Sequence, residues 1–186
     1  MNILSLPMMA VSSEQGWPEL EKRPPSLPLL LGLLILPLSL LPPAMLYYAG
    51  SHYGDAFAAG FGAKPWGSIA VLFFVAEVLT VAAMAWLVAQ VTRTHGIHAS
   101  AYDALLIAAL APIPLWLSSL GLLLPSFAAN AGISFLALGV TCSLVYHGVL
   151  ALCHLREAVT AAAITQTVMG AGLIAWALLL LGIVVA

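Results

Sequence analysis

The chain has 186 residues, of which 63% are hydrophobic and 6% are charged, and its formal net charge is −2. Soluble domains carry about 25% charged residues, so this composition excludes an ordinary water-exposed surface. The five Lys and Arg residues form no basic patch that could follow a phosphate backbone, which excludes nucleic acid as a partner. The lipid bilayer is therefore the expected surrounding of most of the chain.

Residues 1–26 form a short tail ahead of the first apolar block. The first ten residues lack a basic region, and their apolar core is too short for a secretory signal. The stretch from Ser12 to Ser26 is polar and contains prolines, so we do not expect it to fold alone. The sequence predicts a cytoplasmic amino-terminal tail.

Five apolar blocks follow the tail, and each is long enough to cross a hydrocarbon core, which needs about 20 residues. They cover residues 27–49, 67–91, 102–124, 131–155 and 161–186. The short links between them require neighbouring helices to be antiparallel. The predicted fold class is all-α, a polytopic membrane protein whose transmembrane domain (27–186) is a five-helix bundle. Pro37, Pro42 and Pro43 leave open a broken or half-buried first segment.

The basic residues predict the orientation of the bundle, because they favour the cytoplasmic side. With the amino terminus inside, four of the five are cytoplasmic and Lys64 alone is outside. The four are Lys22, Arg23, Arg93 and Arg156. The expected topology is N-in/C-out.

Glu77 and His147 are the ionisable residues predicted to lie well inside the membrane, in the second and fourth spans. Such residues are costly to bury and are candidates for function. Together with Ser143 they form a candidate intramembrane polar site. One hypothesis pairs Glu77 with His147 as a proton or cation site; the sequence does not show that the two residues face each other.

A stripe of small and hydrogen-bonding residues follows the fourth span at spacings of three and four. Its members are Gly139, Ser143, His147, Ala151 and His154. Stripes of this kind are how membrane helices pack against each other. The favoured interpretation is therefore a helix-packing face with a satisfied histidine.

Two features of the third span are interpreted as structural. Pro112 and Pro114 lack amide hydrogens, which predicts a kink whose freed carbonyls are satisfied by neighbouring helices or line a cavity. Asp103 lies in the first turn, where a carboxylate interacts well with amide dipoles. It is predicted to cap the helix or to form an ion pair with Arg93 or Arg156.

No metal, cofactor or catalytic set is expected. His147 and His154 are about 10.5 Å apart along one helix, so they cannot be the two axial ligands of one haem. His95 and His98 lack a third metal ligand. No nucleophile motif, zinc-protease motif, P-loop or dinucleotide fingerprint occurs, so we do not expect an enzyme.

The stretch 99–186 resembles the Yip (Ypt/Rab-interacting protein) domain family, in particular its small bacterial inner-membrane members. The resemblance rests on residues 100–105 at the start of the third span, on 111–117 around its prolines, and on 146–149 in the fourth span. It implies a five-span bundle with a cytoplasmic amino terminus. Eukaryotic relatives are associated with small GTPases and membrane traffic. No catalytic residue is carried over; Tyr102, Asp103, Pro112, Pro114 and Tyr146 match only as structural or interface positions.

The sequence thus predicts a non-enzymatic integral membrane protein of the bacterial inner membrane. It would act through helix–helix association as a scaffold or accessory subunit, with other membrane subunits or further copies of itself as partners. The small residues Ala82, Ala85 and Ala89 in the second span and Ala171 and Ala175 in the fifth favour this hypothesis. The alternative is a small transporter or a proton- or cation-translocating protein that uses Glu77 and His147.

Overall fold

The computed structural model describes residues 6–185 and the side chains of residues 8–183. The chain is 82% helical, and its described part contains no strand. Five helices are long and apolar enough to cross a membrane, which confirms the predicted all-α, five-span fold. They are Leu27–Phe57, Trp66–Thr94, Ala101–Leu123, Phe127–Leu152 and Ala158–Val185, called the first to fifth spans below.

The prolines of the first span bend its helix without ending it. Pro37 has no amide hydrogen to give to the carbonyl of Leu33, and the helix widens into a π-helical turn at Leu31–Ile35. The helix then continues past a turn-like residue at Leu40 to Phe57, with a second kink at Tyr53, whose φ of −150° and ψ of 31° are not helical. The first span is therefore one bent helix that ends at Phe57, beyond the predicted residue 49.

The third span is interrupted at Ala111 and Pro112, where two helical segments, Ala101–Leu110 and Ile113–Ser118, meet. A 3-10 turn, Ser119–Leu123, ends the span. The break lies at the prolines for which the sequence predicts a kink. It allows the two segments to pack against different neighbours, the first mainly against the second span and the next mainly against the fourth.

Buried side chains from all five spans meet in one core. Representatives that are at most 1% exposed are Ile35, Val88, Ile107, Val149 and Ile164. All five lie nearer to the end of the bundle at which the first span begins and the second ends, called the tail end below. A second, smaller cluster around Trp66 and Phe73 holds the first, second and fifth spans together at the opposite end.

Two short helices precede the first span, α1 (Leu6–Val11) and α2 (Trp17–Lys22), and both pack on the fourth span. Gly16 joins them with a φ of 83°, a conformation that glycine adopts at no steric cost. Met9 and Trp17 are buried in the main core. The polar tail thus folds against the bundle, although its composition gives it no capacity to fold alone.

Candidate functional site

Glu77 lies near the middle of the second span, and its carboxyl group faces the third span. The indole Nε1–H of Trp116 donates a hydrogen bond to Glu77 Oε2 at 2.9 Å. Trp116 is only 2% exposed and follows directly on the proline break. The indole supplies a fixed donor to the carboxyl group, so the pair ties the second span to the third.

His147 does not join Glu77. Among the described residues its Nδ1 atom is buried without a hydrogen-bond partner, and its ring packs edge-on against that of Tyr146 with 5.2 Å between centroids. The Glu77 carboxyl group is instead bonded to Trp116. The described residues therefore contain no hydrogen bond between Glu77 and His147.

Ser143 faces the tail. Its hydroxyl donates to the backbone carbonyl of Ala10 in α1. Ser143 lies about 14 Å along the helix axis from Leu152, where the fourth span ends. The tail therefore reaches about that far into the bundle from the tail end.

Trp17 is the main contact between the tail and the fourth span. It is fully buried, and its Nε1–H donates to the carbonyl of Met9 at 2.9 Å, which closes the turn between α1 and α2. Its ring lies on Gly148, where a Cβ atom would come within 2.8 Å of the ring. Glycine at position 148 makes the space for this ring.

Four members of the predicted packing stripe of the fourth span lie in different surroundings. Ser143 contacts the tail, while Gly139 faces open space with no atom near its Cβ direction. Ala151 is partly buried against the core. His154 does not belong to the stripe, because the helix ends at Leu152 and His154 adopts a φ of 50° in the turn that follows.

A capping box begins the third span. Ser100 Oγ accepts a hydrogen bond from the amide of Asp103 at 3.0 Å, and Asp103 Oδ2 accepts one from the amide of Ser100 at 3.3 Å. The described residues contain no ion pair between Asp103 and Arg93 or Arg156. Of the two roles predicted for Asp103, the structure has the cap.

A family model described as the Yip1 domain matches residues 8–183. The chain belongs to the Yip1 domain family. The match confirms the family indicated by the sequence, and it includes the tail and the first two spans as well as the stretch 99–186. No curated protein and no solved structure compared with the chain matches it. Members of the family are membrane proteins that are not known as enzymes.

At the tail end of this Yip1 domain, the thiol of Cys153 lies close to the Asp103 cap. Burial, and to a smaller degree the Asp103 carboxylate, raises the pKa of the thiol from 9.0 to about 11. Cys153 is therefore an unreactive packing residue at neutral pH. Both Cys142 and Cys153 are free.

The same end carries an ion pair between Glu21 of α2 and His154, with 3.0 Å between Oε1 and Nε2. The side chains of His154 and Glu21 are 72% and 41% exposed, so the pair contributes little stability but marks where α2 lies on the bundle. In the part of the chain that the structure describes, no three His, Cys, Asp or Glu residues lie close enough to hold a metal ion. His95 and His98 are exposed in the link after the second span.

Sequence reasoning missed Trp17, Gly148 and Trp116 as the residues that organise the polar contacts. An available signal was the indole itself, because a buried Trp usually directs its N–H to an acceptor. Trp17 with Leu20 also forms an apolar pair at helical spacing inside an otherwise polar tail. Which acceptor each indole meets depends on contacts between distant segments.

Proposed function

We propose that this Yip1 domain protein is a non-enzymatic scaffold or accessory subunit that works by lateral association with other proteins of the bacterial inner membrane. The observation that carries the proposal is the position of the fifth span. Only 11% of its most apolar window is buried inside the chain. Most residues of that window offer at least part of their surface to lipid or to another helix.

The contacts of the candidate polar residues support the same proposal. The Glu77 carboxyl group is bonded to Trp116, Ser143 to the tail, and Asp103 to the start of its own helix. These bonds stabilise the Yip1 bundle itself. Because these inner polar groups are bonded within the bundle, association with partners would use the outer surfaces of its helices.

We further propose the N-in/C-out orientation. The antiparallel order of the spans puts Lys22, Arg23, Arg93 and Arg156 at the tail end and Lys64 at the other end. This asymmetry favours a cytoplasmic tail end. Cysteine variants of the exposed residues Ala63 and Glu157, in a chain lacking Cys142 and Cys153, test it with a membrane-impermeant maleimide on intact cells. Labelling at position 63 alone is expected, and labelling at 157 alone would reverse the orientation.

Photo-crosslinking in native membranes tests the association itself. A photoreactive amino acid replaces Ile174 of the fifth span in one variant and Val71 of the second span in the other; the two are matched at 65% and 66% exposure. Protein adducts at position 174 and mainly lipid adducts at 71 are expected. Lipid adducts alone at both positions, together with a partner-free monomer in native mass spectrometry, would contradict the proposal.

A further inference from the structure

Gln166 is a polar side chain of the fifth span that its own bundle leaves without a partner. It is exposed, and no hydrogen bond from its amide occurs among the described residues. Its neighbours differ: the Thr165 hydroxyl donates to the Ala161 carbonyl at 2.8 Å, and the Thr167 hydroxyl donates to that of Ala163 at 3.0 Å. The amide of Gln166 is the group left to find a partner.

An amide without a hydrogen-bond partner is costly at the depth that Gln166 has in the membrane. The part of the fifth span from Ala158 to Ile183 has 26 residues and is about 39 Å long, so both of its ends extend slightly beyond a hydrocarbon core of about 30 Å. Gln166 lies about 12 Å along the axis from Ala158, which places it about 7 Å inside the hydrocarbon. Its short side chain cannot reach water from there, and lipid tails offer no hydrogen bond.

The surface around Gln166 is shaped for a second helix. Ala162 and Gly170 lie one turn to either side of it, and a Cβ at Gly170 would meet no atom within 4 Å. The uncovered positions continue at spacings of three and four along the span. Along the middle of the exposed face they are Val159, Ala162, Gln166, Leu173, Ala177 and Leu180, which are exposed, and Gly170, which is partly exposed. Their mean spacing of about 3.5 is that of a left-handed helix pair.

We propose that this surface, the Gln166 seam, is the interface between two copies of the chain. Copies inserted in one membrane share one orientation, so their fifth spans run parallel and their Gln166 residues lie at the same depth. An amide carries both an acceptor and donors, so two Gln166 side chains bond each other reciprocally across a two-fold axis. The inference rests on the proposed function, because it names a second copy as the partner of the fifth span.

Disulfide crosslinking tests the geometry of the Gln166 seam. In a chain lacking Cys142 and Cys153, one variant carries Ala162→Cys in the seam. The other carries Leu178→Cys. Leu178 is 64% exposed and lies about 120° around the helix axis from Gln166. Oxidation in liposomes is expected to give covalent dimers at position 162 at least fivefold more efficiently than at 178. Equal crosslinking at both positions would overturn the proposal.

Energy transfer between labelled copies in liposomes tests the role of the amide. Gln166→Leu is expected to weaken self-association at least fivefold, Gln166→Asn to retain most of it, and Gly170→Leu to weaken it by blocking close approach. The monomer should melt at an unchanged temperature in Gln166→Leu, because the amide makes no hydrogen bond with the described residues of its own chain. Self-association of Gln166→Leu at the wild-type level would overturn the proposal.

The two proposals can fail separately. If the wild-type chain remains monomeric in liposomes but still gives adducts with other proteins at position 174, the second-copy interface is wrong and the association function stands. If Gln166→Leu loses self-association while adducts with other proteins persist, both proposals are supported. Absence of both self-association and adducts would overturn both.

Discussion

The third and fifth spans are almost equal in mean hydropathy, at 1.9 and 1.8, yet they occupy opposite positions in the bundle. Half of the third span's most apolar window is buried inside the chain, against 11% for the fifth. The third span has a proline break and the buried Trp116 that donates to Glu77. The fifth span has small residues and the Gln166 amide, which makes no hydrogen bond among the described residues. Hydropathy finds the helices of a membrane protein, but the placement of polar and small residues tells which helix is central.

The largest expected difference is between Trp116 in the third span and Trp176 in the fifth, which are 2% and 48% exposed. Trp116→Ala should lower the free energy of unfolding by about 3–5 kcal/mol, because it leaves a cavity and removes the donor to Glu77. Trp176→Ala should change it by at most about 0.5 kcal/mol, since lipid fills the space. Unfolding in a mild detergent measures both, and equal losses would break the comparison.

The reactivity of the Cys153 thiol tests whether the packed core extends to the tail end of the bundle. In a Cys142→Ala background, its maleimide reaction at pH 7.5 should be about 100-fold slower than that of an exposed thiol, because a pKa of about 11 instead of 9.0 leaves less thiolate. The rate should rise about tenfold per pH unit until the pH approaches that pKa. His98→Cys in a chain lacking both native cysteines is the exposed control. A similar rate for both thiols at pH 7.5 would show that Cys153 is accessible.

Alanine substitutions at two glycines of the fourth span compare the face covered by the tail with an uncovered face of the same helix. Gly148→Ala should cost about 1–3 kcal/mol and release the tail, because its Cβ would come within 2.8 Å of the Trp17 ring. Gly139→Ala meets open space and should be neutral or slightly stabilising. Tryptic cleavage after Lys22 reports tail release, and cleavage at the same rate in both variants would contradict the tail contact.

The smallest expected effect is the coupling between Glu77 and Trp116. In a double-mutant cycle of Glu77→Gln and Trp116→Phe, the interaction energy should be about 0.5–1.5 kcal/mol, as for one intramolecular hydrogen bond. A second cycle of Glu77→Gln with His147→Phe should show no coupling, because those side chains are not bonded. Coupling to His147 instead would restore the paired-site hypothesis.

The sequence predicted the features that depend on local pattern. Five spans follow from five apolar blocks of sufficient length, and a cap by Asp103 was one of two roles predicted from a carboxylate in the first turn of a helix. The end of the fourth span was predicted too late, at residue 155 instead of Leu152. A histidine at 154 gives no sign of the left-handed conformation that ends the helix there, since glycine is the usual residue at that position.

The partners of the buried polar groups could not be predicted from the sequence. The Glu77–Trp116 bond joins residues 39 positions apart, and the Ser143–Ala10 bond joins residues 133 positions apart. Such pairs depend on how the helices rotate and on where the third span breaks. The hypothesis of a Glu77–His147 pair joined two ionisable side chains of the membrane interior. In the structure the Glu77 carboxyl group is bonded to an indole, and the Ser143 hydroxyl is bonded to a backbone carbonyl.

The docking of the tail on the fourth span has a consequence for biosynthesis. Ala10 leaves the ribosome 133 residues before its partner Ser143, so the tail is made first and acquires its contact only when the fourth span has entered the membrane. Until then α1 and α2 lack the surface that holds them. Docking of the tail therefore marks the completion of at least four spans. Tryptic cleavage after Lys22 should report, during synthesis, how far insertion has advanced.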